Sequence, residues 1–124
     1  MGYELHLTRA KEWYESDEAP IPLAEWLSYA ATNPSLVERG CMSSDDTRVP
    51  LYAYVCHDGV EVSLTWHGGR ISVKGVRDNA GALELVTVAD DLRARLISDD
   101  GEHIRRSALH RLATLVRRTT TRSA

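Results

Sequence analysis

Residues 51–76, LYAYVCHDGVEVSLTWHGGRISVKGV, contain two turn signals that separate three runs of β-forming residues. Asp58-Gly59 is typical of the two-residue turn of a β-hairpin, and so is Gly68-Gly69. The runs on either side are rich in Val, Ile, Thr, Tyr and Trp, which are common in strands. The stretch therefore predicts a three-stranded meander, and we expect this meander to form the centre of the fold.

The two turns also predict which side chains of the meander face the core. A two-residue turn at each position sets Val55 opposite Val62 and Leu64 opposite Val73. These four side chains then share one face, because side chains alternate between faces along a strand. The predicted inward set is Leu51, Ala53, Val55, Val62, Leu64, Trp66, Ile71 and Val73. The predicted outer set is Tyr52, Tyr54, Cys56, Glu61, Ser63, Thr65, Ser72 and Lys74.

The flanking sequence predicts the remaining elements. Short strands are expected at 3–8, at 95–98 and at 103–104. The apolar spacing of amphipathic helices occurs at 22–31, 80–93 and 107–118. Residues 34–40 are expected to form a short second helix, and residues 11–20 and 41–50 to form loops.

Together these elements predict an α+β fold. We expect an antiparallel sheet of four or five strands, with the meander 51–76 at its centre and about three helices packed mainly on one face. The helices would cover the inward set with Leu23, Trp26, Leu27, Leu85, Leu92, Leu109 and Leu112. A single domain over 1–118 is expected, followed by a frayed tail at 119–124.

Composition favours a cytoplasmic protein. The apolar stretches are far shorter than the ~20 residues that a membrane-spanning helix needs. The N-terminus, Met1-Gly2-Tyr3-Glu4, lacks the basic region and apolar core of a signal peptide. We therefore expect no membrane association.

The titratable residues form no catalytic or metal-binding motif. The two cysteines, Cys41 and Cys56, are expected to be free thiols. Cys56 and His57 are adjacent on a strand, so their side chains point to opposite faces, whereas a zinc site needs ligands that converge. The predicted register sets Glu61 opposite Cys56, and a carboxylate raises the pKa of a neighbouring thiol. The sequence thus predicts no catalytic residue, no metal and no cofactor.

Charge is distributed unevenly along the chain. Residues 1–46 carry nine acidic residues and three basic ones, whereas residues 103–124 carry six arginines and no acid. The segment 12–18 combines four carboxylates with two aromatic rings, and aromatic residues recur as anchors of protein interfaces. The predicted partner-binding residues are Glu12, Trp13, Tyr14, Glu15, Asp17 and Glu18. In the other interpretation of this segment, both rings fold back to cover the first helix.

Two alternatives use other parts of the chain. A small ligand-binding or enzymatic site on the outer sheet face would use Tyr52, Tyr54, Glu61, Ser63 and His67. A nucleic-acid-associated regulator would use the C-terminal arginines, including Arg111 and Arg118, which are seven residues apart on one helical face. The acidic net charge of −3 and the absence of a DNA-reading motif argue against nucleic acid as the partner.

Two segments resemble a known family. Tyr3-Glu4-Leu5-His6-Leu7-Thr8-Arg9-Ala10, then Trp13, then Ile21-Pro22-Leu23-Ala24-Glu25-Trp26-Leu27, resemble small uncharacterised bacterial cytosolic proteins, as does the segment from Val73 to Glu102. Pro22 departs from the Ser that is usual in that family. Proteins of this kind are similar to the immunity proteins of bacterial toxin systems. The resemblance implies a non-enzymatic inhibitor that binds another protein, such as a cognate toxin, and it supplies no catalytic residues.

Overall fold

Strands dominate the structure, a computed structural model that describes residues 4–44 and 47–105. The strands are β1 (Leu5–Thr8), β2 (Leu36–Ser44), β3 (Thr47–Val55), β4 (Glu61–His67), β5 (Arg70–Lys74), β6 (Arg95–Ser98) and β7 (His103–Ile104). The helices are a 3₁₀ helix (Trp13–Glu18), α1 (Leu23–Thr32) and α2 (Asn79–Asp91). The predicted α+β class is confirmed.

All seven strands of the described residues belong to one antiparallel sheet, in the order β2-β3-β4-β5-β1-β6-β7. The prediction of four or five strands was therefore too low. Residues 34–40 were expected to be helical and 41–50 to be a loop, but most of them lie in β2 and β3. Strand pairing explains the difference, because Leu36 lies opposite Tyr54 and Val37 opposite Ala53. The hydrogen bonds between β2 and β3 stabilise this segment more than its weak local preference for a helix does.

The turn at 57–59 has three residues instead of two. The Cys56 N–H donates to the Val60 carbonyl at 2.9 Å, and the Gly59 N–H donates to the Cys56 carbonyl at 2.8 Å. Gly59 has a φ of 89°, as expected for the left-handed residue that closes a three-residue hairpin loop. Val55 consequently lies opposite Glu61 and not Val62.

This shift by one residue exchanges the inner and outer faces of β3 relative to the prediction. Tyr54 is now opposite Val62, and Tyr52 is opposite Leu64, so both tyrosines face the core with Cys56. The side chains predicted to face inward from β3 were Leu51, Ala53 and Val55, and they lie on the outer face. The prediction was right for β4 and β5, where the Gly68-Gly69 turn sets Leu64 opposite Val73 and Trp66 opposite Ile71.

The hydrophobic core lies between the inner sheet face and the two α-helices. Trp26 of α1 and Leu85 of α2 are fully buried, as are Leu64 and Val73 of the sheet. The Trp26 ring meets the Tyr52 ring edge to face, with 5.6 Å between centroids. The helices predicted at 22–31 and 80–93 are confirmed, whereas 107–118 and the tail 119–124 lie outside the described residues. None of the described helices has the length and apolar character needed to cross a membrane.

The 3₁₀ helix occupies a segment that was expected to be a loop, and it lies on the outer face of the sheet. The Thr8 and Ser16 hydroxyls are 2.9 Å apart and buried, which fixes the helix to β1. The chain then crosses the sheet edge at the Gly68-Gly69 turn, where the Ile21 N–H donates to the Gly69 carbonyl at 2.8 Å. Acidic residues 12–18 thus lie on one side of the sheet and α1 on the other.

Candidate functional site

Trp13 is held against the outer sheet face by three contacts. Its ring stacks on His6 of β1, with 4.4 Å between centroids and 12° between planes. The Arg70 guanidinium carbon lies 5.2 Å from the centre of the ring, within range of a cation–π interaction. The indole N–H donates to the Asp99 carbonyl at 3.4 Å. Trp13 therefore fastens the 3₁₀ helix to the sheet and remains partly exposed.

His6 connects this helix to the turn between β6 and β7. Its side chain is almost fully buried, and its Nε2 lies 2.6 Å from Oδ1 of Asp99, whose side chain is half-exposed. Its Nδ1 is buried and has no hydrogen-bond partner among the described residues. The nearby Ser16 hydroxyl is bonded to Thr8 and to the Trp13 carbonyl, so it is not placed to act as a nucleophile with this His–Asp pair.

The contacts of His6 and Trp13 bring together two acidic segments that are far apart in the sequence. The turn Asp99-Asp100-Gly101-Glu102 lies beside the start of the 3₁₀ helix, where a Cβ added at Gly101 would be 3.7 Å from Oε2 of Glu12. The sequence showed both segments as acidic but gave no signal that they meet. We call the combined set the acidic surface. It consists of Glu12, Glu15, Asp17, Glu18, Asp99, Asp100 and Glu102, together with Tyr14.

The acidic surface is open to solvent and carries one prominent aromatic ring. Asp17, Glu18, Asp100 and Glu102 are exposed. Tyr14 is 66% exposed, and its ring meets Trp13 edge to face with 5.7 Å between centroids. Within residues 4–44 and 47–105, Asp99 is the one member of the surface whose carboxylate contacts a basic side chain, that of His6. The remaining carboxylates are therefore available to a basic partner.

The structure brings together only two of the five residues proposed for the alternative sheet-face site. Tyr52 and Tyr54 point into the core because of the three-residue turn, and burial followed by the nearby Glu84 carboxylate raises the pKa of Tyr54. Glu61 lies on the outer face but forms a salt bridge of 3.1 Å with Arg39. Ser63 and His67 are the two members that line an opening on that face.

That opening is a half-open cavity of about 480 Å³ on the outer sheet face. Its floor is the outer surface of β3, β4 and β5, and the β2–β3 hairpin supplies one wall. The side chains that line it on this face are Glu4, Met42, Ser43, Val49, Leu51, Ser63, Thr65, His67, Ser72 and Lys74. The sequence did not predict this cavity, because the two-residue turn expected at Asp58-Gly59 placed Leu51 in the core.

Cys56 is a buried thiol beside a carboxylate. Burial, followed by the charges of Glu84 and Asp58, raises the pKa of Cys56 to about 11. The carboxylate with the largest effect is Glu84 of α2, whereas the predicted register had set Glu61 of β4 opposite the thiol. With either carboxylate the pKa of Cys56 is raised, and a thiol with a raised pKa is a poor nucleophile at neutral pH.

The two thiols are expected to react at very different rates in the folded protein. At pH 8 a thiol with a pKa near 11 carries about 100-fold less thiolate than an ordinary cysteine, and Cys56 is also buried whereas Cys41 is exposed. Alkylation followed by mass spectrometry should therefore modify Cys41 first, and Cys41→Ser should abolish the fast phase while Cys56→Ser leaves it intact. Equal rates for both thiols in the folded chain would contradict the burial of Cys56.

The described residues contain no group of three or more His, Cys, Asp or Glu side chains that could hold a metal ion. The arginines proposed for nucleic-acid binding, Arg111 and Arg118 among them, lie outside the described residues. The acidic surface and the cavity on the outer sheet face are thus two candidate sites within the described residues.

The chain was compared with protein-family models, with curated proteins and with solved structures, and none of the three comparisons found a match.

Proposed function

We propose that the protein is a non-enzymatic binding domain that docks a basic protein through the acidic surface. The observation that carries this proposal is the meeting of two acidic segments around the His6–Trp13 stack. The acidic segment 12–18 thereby begins beside the acidic turn 99–102, and the two segments together carry seven carboxylates. Since like charges repel, a fold that brings carboxylates together is destabilised by their repulsion, and binding to a basic partner would relieve this repulsion.

Tyr14 gives this surface an apolar centre. The fixed Trp13 ring supports Tyr14 from one side, so the exposed ring is presented in a defined position. Tyrosine is enriched among the residues that dominate binding energy, because it buries a large area at low entropic cost. The surrounding carboxylates would speed the encounter with a basic partner, and the buried ring would slow dissociation.

An inhibitor of the immunity or antitoxin type fits this arrangement. Such an inhibitor must cover the active site of its target, and active-site clefts lined with basic side chains present a charge complementary to this surface. A charged rim around one aromatic ring also gives rapid and specific association. We therefore propose a cognate toxin with a basic cleft as the partner.

Site-specific photo-crosslinking tests the docking surface directly. A benzophenone amino acid is placed at position 14 or, as a matched control, at position 38, because Glu38 is exposed on the edge strand β2 at the opposite end of the sheet. We expect a basic protein from the source cells to cross-link at position 14 only, and excess unlabelled protein to compete for it. Cross-links that form equally well at both positions would contradict docking through the acidic surface.

Charge reversal at one exposed carboxylate should slow association with the captured partner. Asp17→Lys is expected to lower the association rate constant about 5-fold at low salt and to weaken its salt dependence, because steering depends on the local field. The control Glu38→Lys makes the same change in net charge and should lower the rate less than about 2-fold. Stopped-flow measurements at several salt concentrations check both values, and identical rates for the two variants would exclude steering by this surface.

A further inference from the structure

We propose that the cavity on the outer sheet face binds a free α-amino acid with a large apolar side chain. This inference concerns a different surface from the acidic one, and it does not rest on the proposed docking function. It rests on three features of the cavity: charges of both signs at one side, an apolar wall at the other and hydroxyl groups between them.

The charged side of the cavity holds one carboxylate and one ammonium group. Glu4 immediately precedes Leu5, which lies opposite Val73, and Lys74 immediately follows Val73. The two residues are therefore on adjacent strands, whose neighbouring positions are about 5 Å apart. Among the described residues, neither side chain forms an ion pair. An α-amino acid carries an ammonium and a carboxylate on one carbon, so its head group matches two opposite charges at this spacing.

The opposite side of the cavity is apolar. Met42 of β2 lies opposite Val49 of β3, and Leu51 follows on the same face of β3. Met42 is 47% exposed, although a side chain of its size is usually covered. An apolar ligand side chain seated against this wall would remove apolar surface from water, which is favourable in proportion to the area covered.

The distance between the two sides sets the size of the ligand. Lys74 is on β5 and Leu51 is on β3, with β4 between them, and Leu51 is level with Ser72, two residues along from Lys74, so the two backbone positions are about 12 Å apart. Because the Lys74 and Leu51 side chains both line the cavity, a phenylalanine or leucine molecule between them can contact both, whereas glycine is too short. The hydroxyls of Thr65 and Ser72 lie opposite each other on the floor and can bond the polar head. The volume of about 480 Å³ is within the ordinary range for small-molecule sites.

Isothermal titration with L-phenylalanine as the probe tests this site. We expect a dissociation constant of about 1 mM or tighter, as is reasonable for a ligand of this size. L-phenylalanine amide lacks the carboxylate, N-acetyl-L-phenylalanine lacks the ammonium, and glycine lacks the apolar side chain. Each of the three is expected to bind at least about 10-fold more weakly, since each loses one of the three contacts.

Variants assign the binding to the cavity. Lys74→Met should weaken L-phenylalanine binding about 10-fold and leave the binding of the amide unchanged, because the amide has no carboxylate to lose. Glu4→Gln should likewise weaken L-phenylalanine binding about 10-fold and leave the binding of N-acetyl-L-phenylalanine unchanged, because that compound has no ammonium group to lose. The control is Lys11→Met, which removes an exposed lysine outside the cavity and should bind as the wild type does. Thermal unfolding followed by circular dichroism verifies that the variants are folded.

Three results would overturn the proposal. The first is no heat of binding with L-phenylalanine or L-leucine up to about 20 mM, well above the expected dissociation constant. The second is equal binding by wild type and Lys74→Met, and the third is an equal loss in Lys11→Met. Amide chemical shifts that move on titration at Thr65 and Ser72 would support the site independently of the variants. Docking through the acidic surface would be unaffected by any of these results.

Discussion

Replacing Gly69 with alanine is expected to lower the free energy of unfolding by about 3 kcal/mol. Two separate effects add at this position. Gly69 has a φ of 86°, which costs a non-glycine residue about 1–2 kcal/mol. An added Cβ would also lie 2.6 Å from Cβ of Pro20 and 3.0 Å from its Cα, so the backbone that follows the 3₁₀ helix would have to move.

The neighbouring glycine provides the control for this experiment. Gly68 belongs to the same turn and has a φ of 56°, but nothing lies within 4 Å of its added Cβ. Gly68→Ala should therefore lower the free energy of unfolding by only about 1 kcal/mol, through the left-handed backbone conformation alone. Urea unfolding of both variants measures the difference, and equal losses would show that Pro20 does not pack against Gly69.

Gly69→Ala is also expected to displace the 3₁₀ helix that carries part of the acidic surface. Gly69 packs against Pro20 and the Ser16 carbonyl, so a Cβ there pushes on the segment that carries the surface. A displaced 3₁₀ helix would lose the stacking of Trp13 on His6. We therefore expect Gly69→Ala, and not Gly68→Ala, to change the near-ultraviolet circular dichroism that arises from packed aromatic rings.

Tyr14→Ala is expected to weaken binding to the captured partner about 30-fold or more, which corresponds to a loss of about 2 kcal/mol at the centre of an interface. The loss should arise mainly in the dissociation rate, since removing a buried ring changes the contact and not the long-range field. Surface plasmon resonance with the purified partner measures both rates.

Two controls separate this effect from unfolding and from the loss of any exposed apolar side chain. Tyr14 is 66% exposed, so its truncation should change the stability of the free protein by less than about 0.5 kcal/mol. Met42→Ala removes the other exposed large hydrophobic side chain of the described residues, on a different surface, and should bind the partner as the wild type does. A similar affinity for Tyr14→Ala and wild type would mean that the ring is not part of the interface.

The sequence predicted the parts of the fold whose local signals agree. The Gly68-Gly69 turn was placed correctly because β4 and β5 alternate clearly, with Val62, Leu64 and Val73 on one face. The helices α1 and α2 were found from their apolar spacing, since an amphipathic helix must bury one face. In each case burial and local geometry favour the same answer.

The register of β3 was wrong because its sequence is apolar on both faces. Leu51, Ala53 and Val55 alternate with Tyr52 and Tyr54, so a shift by one residue exchanges one hydrophobic set for another. The turn sequence His57-Asp58-Gly59 suits either a two-residue or a three-residue loop. Packing against Trp26 and the helices selected the register that buries the tyrosines.

By itself, the sequence determined the α+β class, the two described α-helices, the Gly68-Gly69 turn and the acidic character of residues 12–18. Only the tertiary structure decided that residues 99–102 join that segment, that Trp13 is fixed while Tyr14 is exposed, and that the outer sheet face carries a cavity. The physical reason is the separation along the chain of the residues that interact. Turns and helical spacing arise from neighbours along the chain, whereas a surface or a cavity arises from side chains that meet after the whole sheet has formed.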